Sequence, residues 1–166
     1  MANYNFITVW KFVAPLELIY TRIYNADEYH IWWKGQEPVK TICSGNELGI
    51  GAVKAFCTRS ALPYRLNYTG TVLQVVPYRM IEGTTTGDLQ GHGKWLFAEE
   101  NGVTTVKYVW KVETTRFWMN LCAPLLRPLF EWNHDVVMKW GGEGLASYLG
   151  IELAGLETKK GVGLIH

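Results

Sequence analysis

Apolar and polar residues alternate through most of residues 51–113, and helical spacing takes over from 117 to 149. In the first stretch, segments rich in β-branched and aromatic residues are separated by Gly, Asn and Pro. This predicts strands at 51–58, 66–76, 79–86, 89–98 and 103–113, with another at 39–43. A seventh precedes them at 6–13, where Phe6, Thr8, Trp10 and Phe12 share the inward side and Lys11 faces out. Pro15 then sits where a first helical residue should, and Leu16, Ile19, Tyr20 and Ile23 follow at helical spacing. Asn25 and Glu28 have the spacing of a capping box, which predicts a second short helix through Tyr29, Trp32 and Trp33, ended by Lys34-Gly35.

Asn101-Gly102 supplies the two positive φ values that a two-residue hairpin turn requires. With that turn, Trp95 faces Tyr108, Phe97 faces Val106 and Gly93 faces Trp110. One side of the hairpin is then aromatic and apolar, while the other carries Gln90, His92, Lys94, Thr105, Lys107, Lys111 and Glu113. Gly91 and Gly93 fall on the apolar side, leaving space for the ring of Trp110, a ligand, or both.

In the closing helical segment, Pro124 and Pro128 predict a kink or a restart, with a bend near Pro128. Beyond it, Leu129, Trp132, Asn133, Val136, Val137, Trp140, Gly141, Gly144, Leu145 and Tyr148 recur at helical spacing and define the expected buried stripe. The periodicity fades after Gly150, and Gly and Lys become frequent. The expected organisation is one domain over residues 1–150 and a loose tail at 151–166.

Composition narrows the classes. A hydrophobic content of 48% in 166 residues suits one domain with a substantial core. A net charge of +1 with interspersed signs lacks the clustered basic residues that nucleic acid demands. Cys43, Cys57 and Cys122 are odd in number and far apart, so neither a disulfide framework nor a zinc site is expected, and a cytoplasmic location fits. The N-terminus lacks a signal-peptide pattern. The most apolar stretch, 117–130, is too short for a membrane span and contains Asn120, Pro124, Arg127 and Pro128. Gly49-Ile50-Gly51 lacks the rest of a dinucleotide fingerprint, and no cofactor is expected. Oligomeric state is left open.

The chain resembles the START-like, helix-grip superfamily (SRPBCC), in particular its polyketide cyclase/dehydrase and lipid-transport-like branch, over about residues 6–149. The likeness rests on Ala14-Pro15-Leu16-Glu17, the run from Asn25 to Trp33, Gly49-Ile50-Gly51, the run from Gly87 to Trp95, the strand with Tyr108 and Trp110, and the long terminal helix. The resemblance implies an α+β helix-grip fold: a seven-stranded curved antiparallel sheet wrapped around a long C-terminal helix, with two short helices after the first strand. It also implies a cavity between sheet and helix for a hydrophobic or amphipathic small molecule. Members range from lipid carriers to aromatic cyclases, so the fold locates a site without fixing its use. No catalytic signature carries over residue by residue.

The residues expected to face a ligand are Trp10, Trp95, Tyr108 and Trp110 from the sheet and Leu129, Trp132, Asn133 and Val136 from the helix. Asn133 either offers a donor and an acceptor to the guest or bonds neighbouring backbone. Tyr108 either orients the guest or fills the core. Asp88 and His92 lie about 13 Å apart along one strand, and the hairpin register turns His92 to the wet side unless a bulge intervenes. His134 and Asp135 lie off the apolar stripe and are expected in solvent. His30 has no second metal ligand at helical spacing, so no metal site is expected. Arg65 is placed at the pocket mouth, where it either meets an acidic ligand or is simply exposed. The first functional expectation is binding of a lipid, sterol or aromatic polyketide-like molecule. The alternatives are a cyclase or dehydratase that uses Tyr108 or Asn133 to polarise a carbonyl and needs a proton acceptor, and an interaction domain with a filled, vestigial cavity and an exposed apolar patch.

Overall fold

The structure, a computed structural model, describes residues 2–160. Strand β1 (Ala2–Phe12) leads into helix α1 (Leu16–Tyr24), a 3-10 turn (Ala26–Glu28) and the one-turn helix α2 (Tyr29–Trp32). A meander follows through β2 (Lys40–Cys43), β3 (Val53–Arg59), β4 (Arg65–Val76), β5 (Met80–Gly87), β6 (Leu89–Glu100) and β7 (Val103–Thr114). The chain closes with α3 (Phe117–Leu149) and β8 (Leu153–Lys160). All strands join one antiparallel sheet in the order β2-β3-β4-β5-β6-β7-β1-β8. This is an α+β helix-grip architecture.

The sheet has eight strands, one more than expected. The eighth comes from the segment read as a loose tail, and it pairs with β1 from Phe6↔Lys160 to Phe12↔Leu153. Gly150 adopts the left-handed conformation (φ 65°) that ends α3 and turns the chain back. Leu153 and Leu156 then pack against the main core. The strand was hidden because a register shift at Lys11/Phe12 breaks its alternation and its exposed side carries Glu and Lys. Residues 161–166 of the expected tail lie outside the described residues.

The β6–β7 hairpin has the expected register, with Trp95↔Tyr108, Phe97↔Val106 and Gly93↔Trp110. Asn101 and Gly102 have φ of 52° and 76°, as the tight turn needs. In β1, Phe6, Thr8, Trp10 and Phe12 are all buried, together with Tyr4. Two local expectations differ. Asn25 makes no side-chain cap, because Glu28 reaches back to Arg22 at 2.8 Å and closes α1 onto the turn with an ion pair. Pro124 and Pro128 do not split α3, which continues through both. They sit on an exposed flank, where water can meet the carbonyls they leave without N–H partners.

At one end α3 grips the sheet closely. A Cβ on Gly141 would lie 2.5 Å from the Trp33 ring, and one on Gly144 would lie 1.9 Å from the Trp32 carbonyl oxygen. Glycine here lets α3 settle onto Trp10, Trp32 and Trp33. Toward its N-terminal half α3 carries larger buried residues, Phe130, His134 and Met138, and the helix and sheet no longer close on each other.

Candidate functional site

Between the concave face of the sheet and α3 lies a cavity of about 260 Å3. Its walls are mainly aromatic and aliphatic. Tyr4, Phe6, Tyr68, Trp95, Tyr108 and Trp110 contribute from the strands, and Phe130, Asn133, His134, Val137 and Met138 from α3. Period-two alternation explains the strand contributions, since every second residue of β1, β4, β6 and β7 points to this face. A cluster around Phe56, stacked on Tyr68 at 5.3 Å, forms the far wall, and the Lys54–Asp27 ion pair (2.9 Å) stands at its edge.

Of the residues expected to face a ligand, the structure brings Trp95, Tyr108, Trp110 and Asn133 into this wall. Trp10 is buried to 1% exposure outside it, wedged beneath Gly141 and Gly142 against Trp33 and Trp95. Leu129 and Trp132 are on the outer side of α3, 40% and 50% exposed, and Val136 is only half-buried and outside the cavity wall. The reason is physical. Residues 117–132 are apolar on both sides of the helix, so spacing alone could not choose the inward side. Packing chose Met119, Ala123 and Phe130 and left Phe117, Leu121 and Leu125 outside with Leu129 and Trp132.

The space opened by Gly93 is taken by protein. A Cβ there would meet the Tyr108 hydroxyl at 2.8 Å and the Trp110 ring at 3.3 Å. Burial pushes the Tyr108 phenol well above its ordinary pKa, so it is a neutral hydroxyl at any physiological pH. Asn133 ties the wall to a neighbouring loop: its Oδ1 accepts the Ala61 N–H at 2.9 Å and its Nδ2 donates to the Tyr64 hydroxyl at 3.3 Å.

Tyr4, Phe6, Tyr68, Phe130, Val137 and Met138 join the wall beyond the residues expected there, and so does one titratable residue that had been expected in solvent, His134. The structure buries it to 8% exposure rather than leaving it in solvent. Its ring stacks on Phe6 with centroids 3.7 Å apart and planes 10° from parallel, and Trp110 lies at 5.7 Å. Nδ1 is 3.4 Å from Asp135 Oδ1. Burial holds its pKa below the usual imidazole value, partly offset by Asp135, so the ring is neutral at neutral pH. A signal was present: the series Met119, Ala123, Phe130, His134, Met138, Gly142 and Leu145 is also helically spaced.

Other candidates separate. His92 lies on the outer face, where its Nε2 is 2.6 Å from Glu82 Oε1, with Lys94 also beside Glu82. Asp88 is engaged by Arg116 at 2.6 Å, whose guanidinium hydrogen bond holds the carboxyl below its usual range, and it accepts the Asn67 N–H at 2.8 Å. Arg65 opens β4 in an exposed position 3.4 Å from Glu37. Among the described residues no helix is long and apolar enough to cross a membrane.

No known family matches the sequence, and no curated protein is similar to it in sequence. Solved structures are similar in fold. The Zhui aromatase/cyclase from a Streptomyces species aligns with a TM-score of 0.73 at 12% identity, covering 90% of this chain and 94% of that one. A START superfamily protein from Mycobacterium smegmatis aligns with a TM-score of 0.71 at 11% identity, covering 88% and 97%. TTHA0849 from Thermus thermophilus gives 0.68 at 15% identity, covering 89% and 99%. With sheet, gripped helix and the room between them all in place, the chain shares the α+β helix-grip fold of these structures.

Proposed function

We propose that this protein binds a hydrophobic or amphipathic small molecule of lipid, sterol or aromatic polyketide type between the sheet and α3. The observation that carries this reading is the room of about 260 Å3 whose walls are largely aromatic and aliphatic. Ligand sites are typically such concave, mainly apolar rooms with a few convergent polar groups. Burying about 300 Å2 of apolar guest at about 25 cal/mol per Å2 gives about 7 kcal/mol before the cost of association. Affinity is then about micromolar or weaker unless polar contacts add to it.

Trp33, Trp95 and Trp110 line the room, so occupancy should quench tryptophan fluorescence. Titration with sterols, fatty acids and aromatic polyketides is expected to give saturable quenching with one class. No saturable response from any of the three would sink the reading.

A second reading, a cyclase- or dehydratase-type enzyme using the same room, is favoured by one observation. The neutral, buried His134 is a titratable group other than tyrosine in the cavity wall, and such chemistry needs a proton acceptor near its substrate. An interaction domain with a vestigial cavity is less well supported. α3 does present an apolar outer patch at Phe117, Leu121 and Leu125, but the interior is not filled.

A further inference from the structure

The first half of α3 has an apolar side that the rest of the subunit leaves in water. Phe117, Leu121 and Leu125 are 79%, 68% and 83% exposed, and Trp118, Leu129 and Trp132 are partly exposed on the same side. It lies opposite Met119, Ala123 and Phe130, which are buried. Past Trp132 the same line of the helix turns polar, where Lys139 and Glu143 are exposed and lie 3.7 Å from each other. The apolar character therefore belongs to the turns between 117 and 132, not to the outer side of α3 as a whole.

Its size and spacing suit a second copy of the chain. Taking about 200 Å2 for a large apolar side chain fully in water, these exposures amount to about 700 Å2. The largest apolar patch on a monomer is usually about 300–600 Å2, whereas a stable pair covers about 800 Å2 on each partner. Trp118, Leu121, Leu125, Leu129 and Trp132 follow at steps of three, four, four and three, so the row reads the same from either end about Leu125. Such steps make the seam along which two helices pack. Two antiparallel copies related by a twofold axis through Leu125 bring Trp118 of each against Trp132 of the other, Leu121 against Leu129, and Leu125 against itself. Every contact then joins like with like, aromatic on aromatic and leucine on leucine.

Charge argues against a lipid surface as the occupant. A helix that lies on a bilayer carries many Lys and Arg beside its apolar face. Between 115 and 133 the cations are Arg116 and Arg127, and both are engaged within the subunit, Arg116 by Asp88 at 2.6 Å and Arg127 by Glu131 at 3.6 Å. We propose that the chain forms a twofold symmetric dimer through this side of α3, back to back with the two cavities, whose walls take Met119 and Phe130 from the other side of the same turns.

The test is sedimentation equilibrium of the whole protein with Leu125 varied. The unaltered chain is expected at twice the mass of one chain at about 10 μM, since interfaces of this size range from micromolar to picomolar. Leu125→Glu and Leu125→Lys, each alone, set like charges face to face on the axis and should weaken pairing about a hundredfold. Mixed in equal amounts, they should pair with each other. A single-chain mass for the unaltered protein at about ten times that concentration overturns the dimer. A dimer that both variants leave intact overturns this interface, and a mixture that stays monomeric overturns the pairing of Leu125 with itself. The side chain is exposed in the subunit, so the fold should survive either change. Should circular dichroism show otherwise, Leu125→Ser, which adds no charge, takes their place, and a dimer as tight as the unaltered one then overturns the interface. Flotation with phosphatidylcholine and phosphatidylserine vesicles covers the other occupant: binding by a monomeric unaltered chain, lost in Leu125→Glu, assigns this side of α3 to a lipid surface and overturns the proposal.

Discussion

Phe6 of the first strand and His134 of the last helix lie face to face, 3.7 Å between ring centroids and 10° from parallel, across 128 positions of sequence. The stack takes an imidazole out of water, and burial lowers its pKa from the ordinary value of 6.5. Asp135 on the same helix opposes this shift and Lys160 of β8 adds to it, while Phe6 and Trp110 are uncharged.

A pH dependence of stability follows. The unfolded chain takes up the proton on this histidine at about pH 6.5, before the folded protein does. The stability associated with the neutral ring is therefore complete above that pH and is lost as pH falls through the window below it, down to the folded pKa. Urea denaturation at steps between about pH 7.5 and 5 should show this decline, and His134→Phe should flatten it. The lowered carboxyls of Asp88 and Glu37 act in the same direction, but at more acid pH, below their ordinary values of 3.8 and 4.5. A native profile that stays flat over this window would contradict the burial of His134.

Asn133 carries two bonds to the loop ahead of β4, to the Ala61 N–H and the Tyr64 hydroxyl. Asn133→Leu is expected to lower stability by about 1–3 kcal/mol, since it removes two hydrogen bonds worth about 0.5–1.5 kcal/mol each. Amide exchange should quicken at Ala61 more than in the β6–β7 hairpin. Uniform quickening would mean that Asn133 acts on the whole fold rather than on this loop.

Gly144 is where α3 approaches the Trp32 carbonyl most closely, and an added Cβ would lie 1.9 Å from that oxygen. Backbone cannot move aside as a flexible side chain can. Gly144→Ala is expected to cost about 1–3 kcal/mol in denaturant titration, although alanine is the better helix former. A stabilised variant would show that the helix sits farther from α2.

Strand β8 covers the outer edge of β1 from Phe6 to Phe12. A chain ended at Gly150 is expected to expose that edge, remove Leu153 and Leu156 from the core and become prone to association. Light scattering and denaturation of the shortened chain against the full one measure both effects. An unchanged midpoint would show that β8 adds nothing to the domain.

Much of the fold was legible in the chain because strand alternation and turn chemistry are local. Asn101-Gly102 set the β6–β7 register, and that register put Trp95, Tyr108 and Trp110 on one face and His92 on the other. β8 was not legible, because its pairing with β1 is long-range and its sequence is short, Gly-containing and charged. Within the site, Asn133 was found and His134 was not.

The sequence by itself determined the order of elements as far as α3 and the inward faces of the strands, since each follows from the spacing of nearby residues, while the room between sheet and helix was what the resemblance implied. Only the tertiary structure decided which side of α3 meets that room. In residues 117–132 both sides are apolar, and the choice fell to shape: glycines at 141 and 144 seat the helix on Trp33 and Trp32, and that rotation carries His134 inward while Trp132 turns out. Local periodicity cannot weigh such a contact, because its partners lie more than a hundred residues apart.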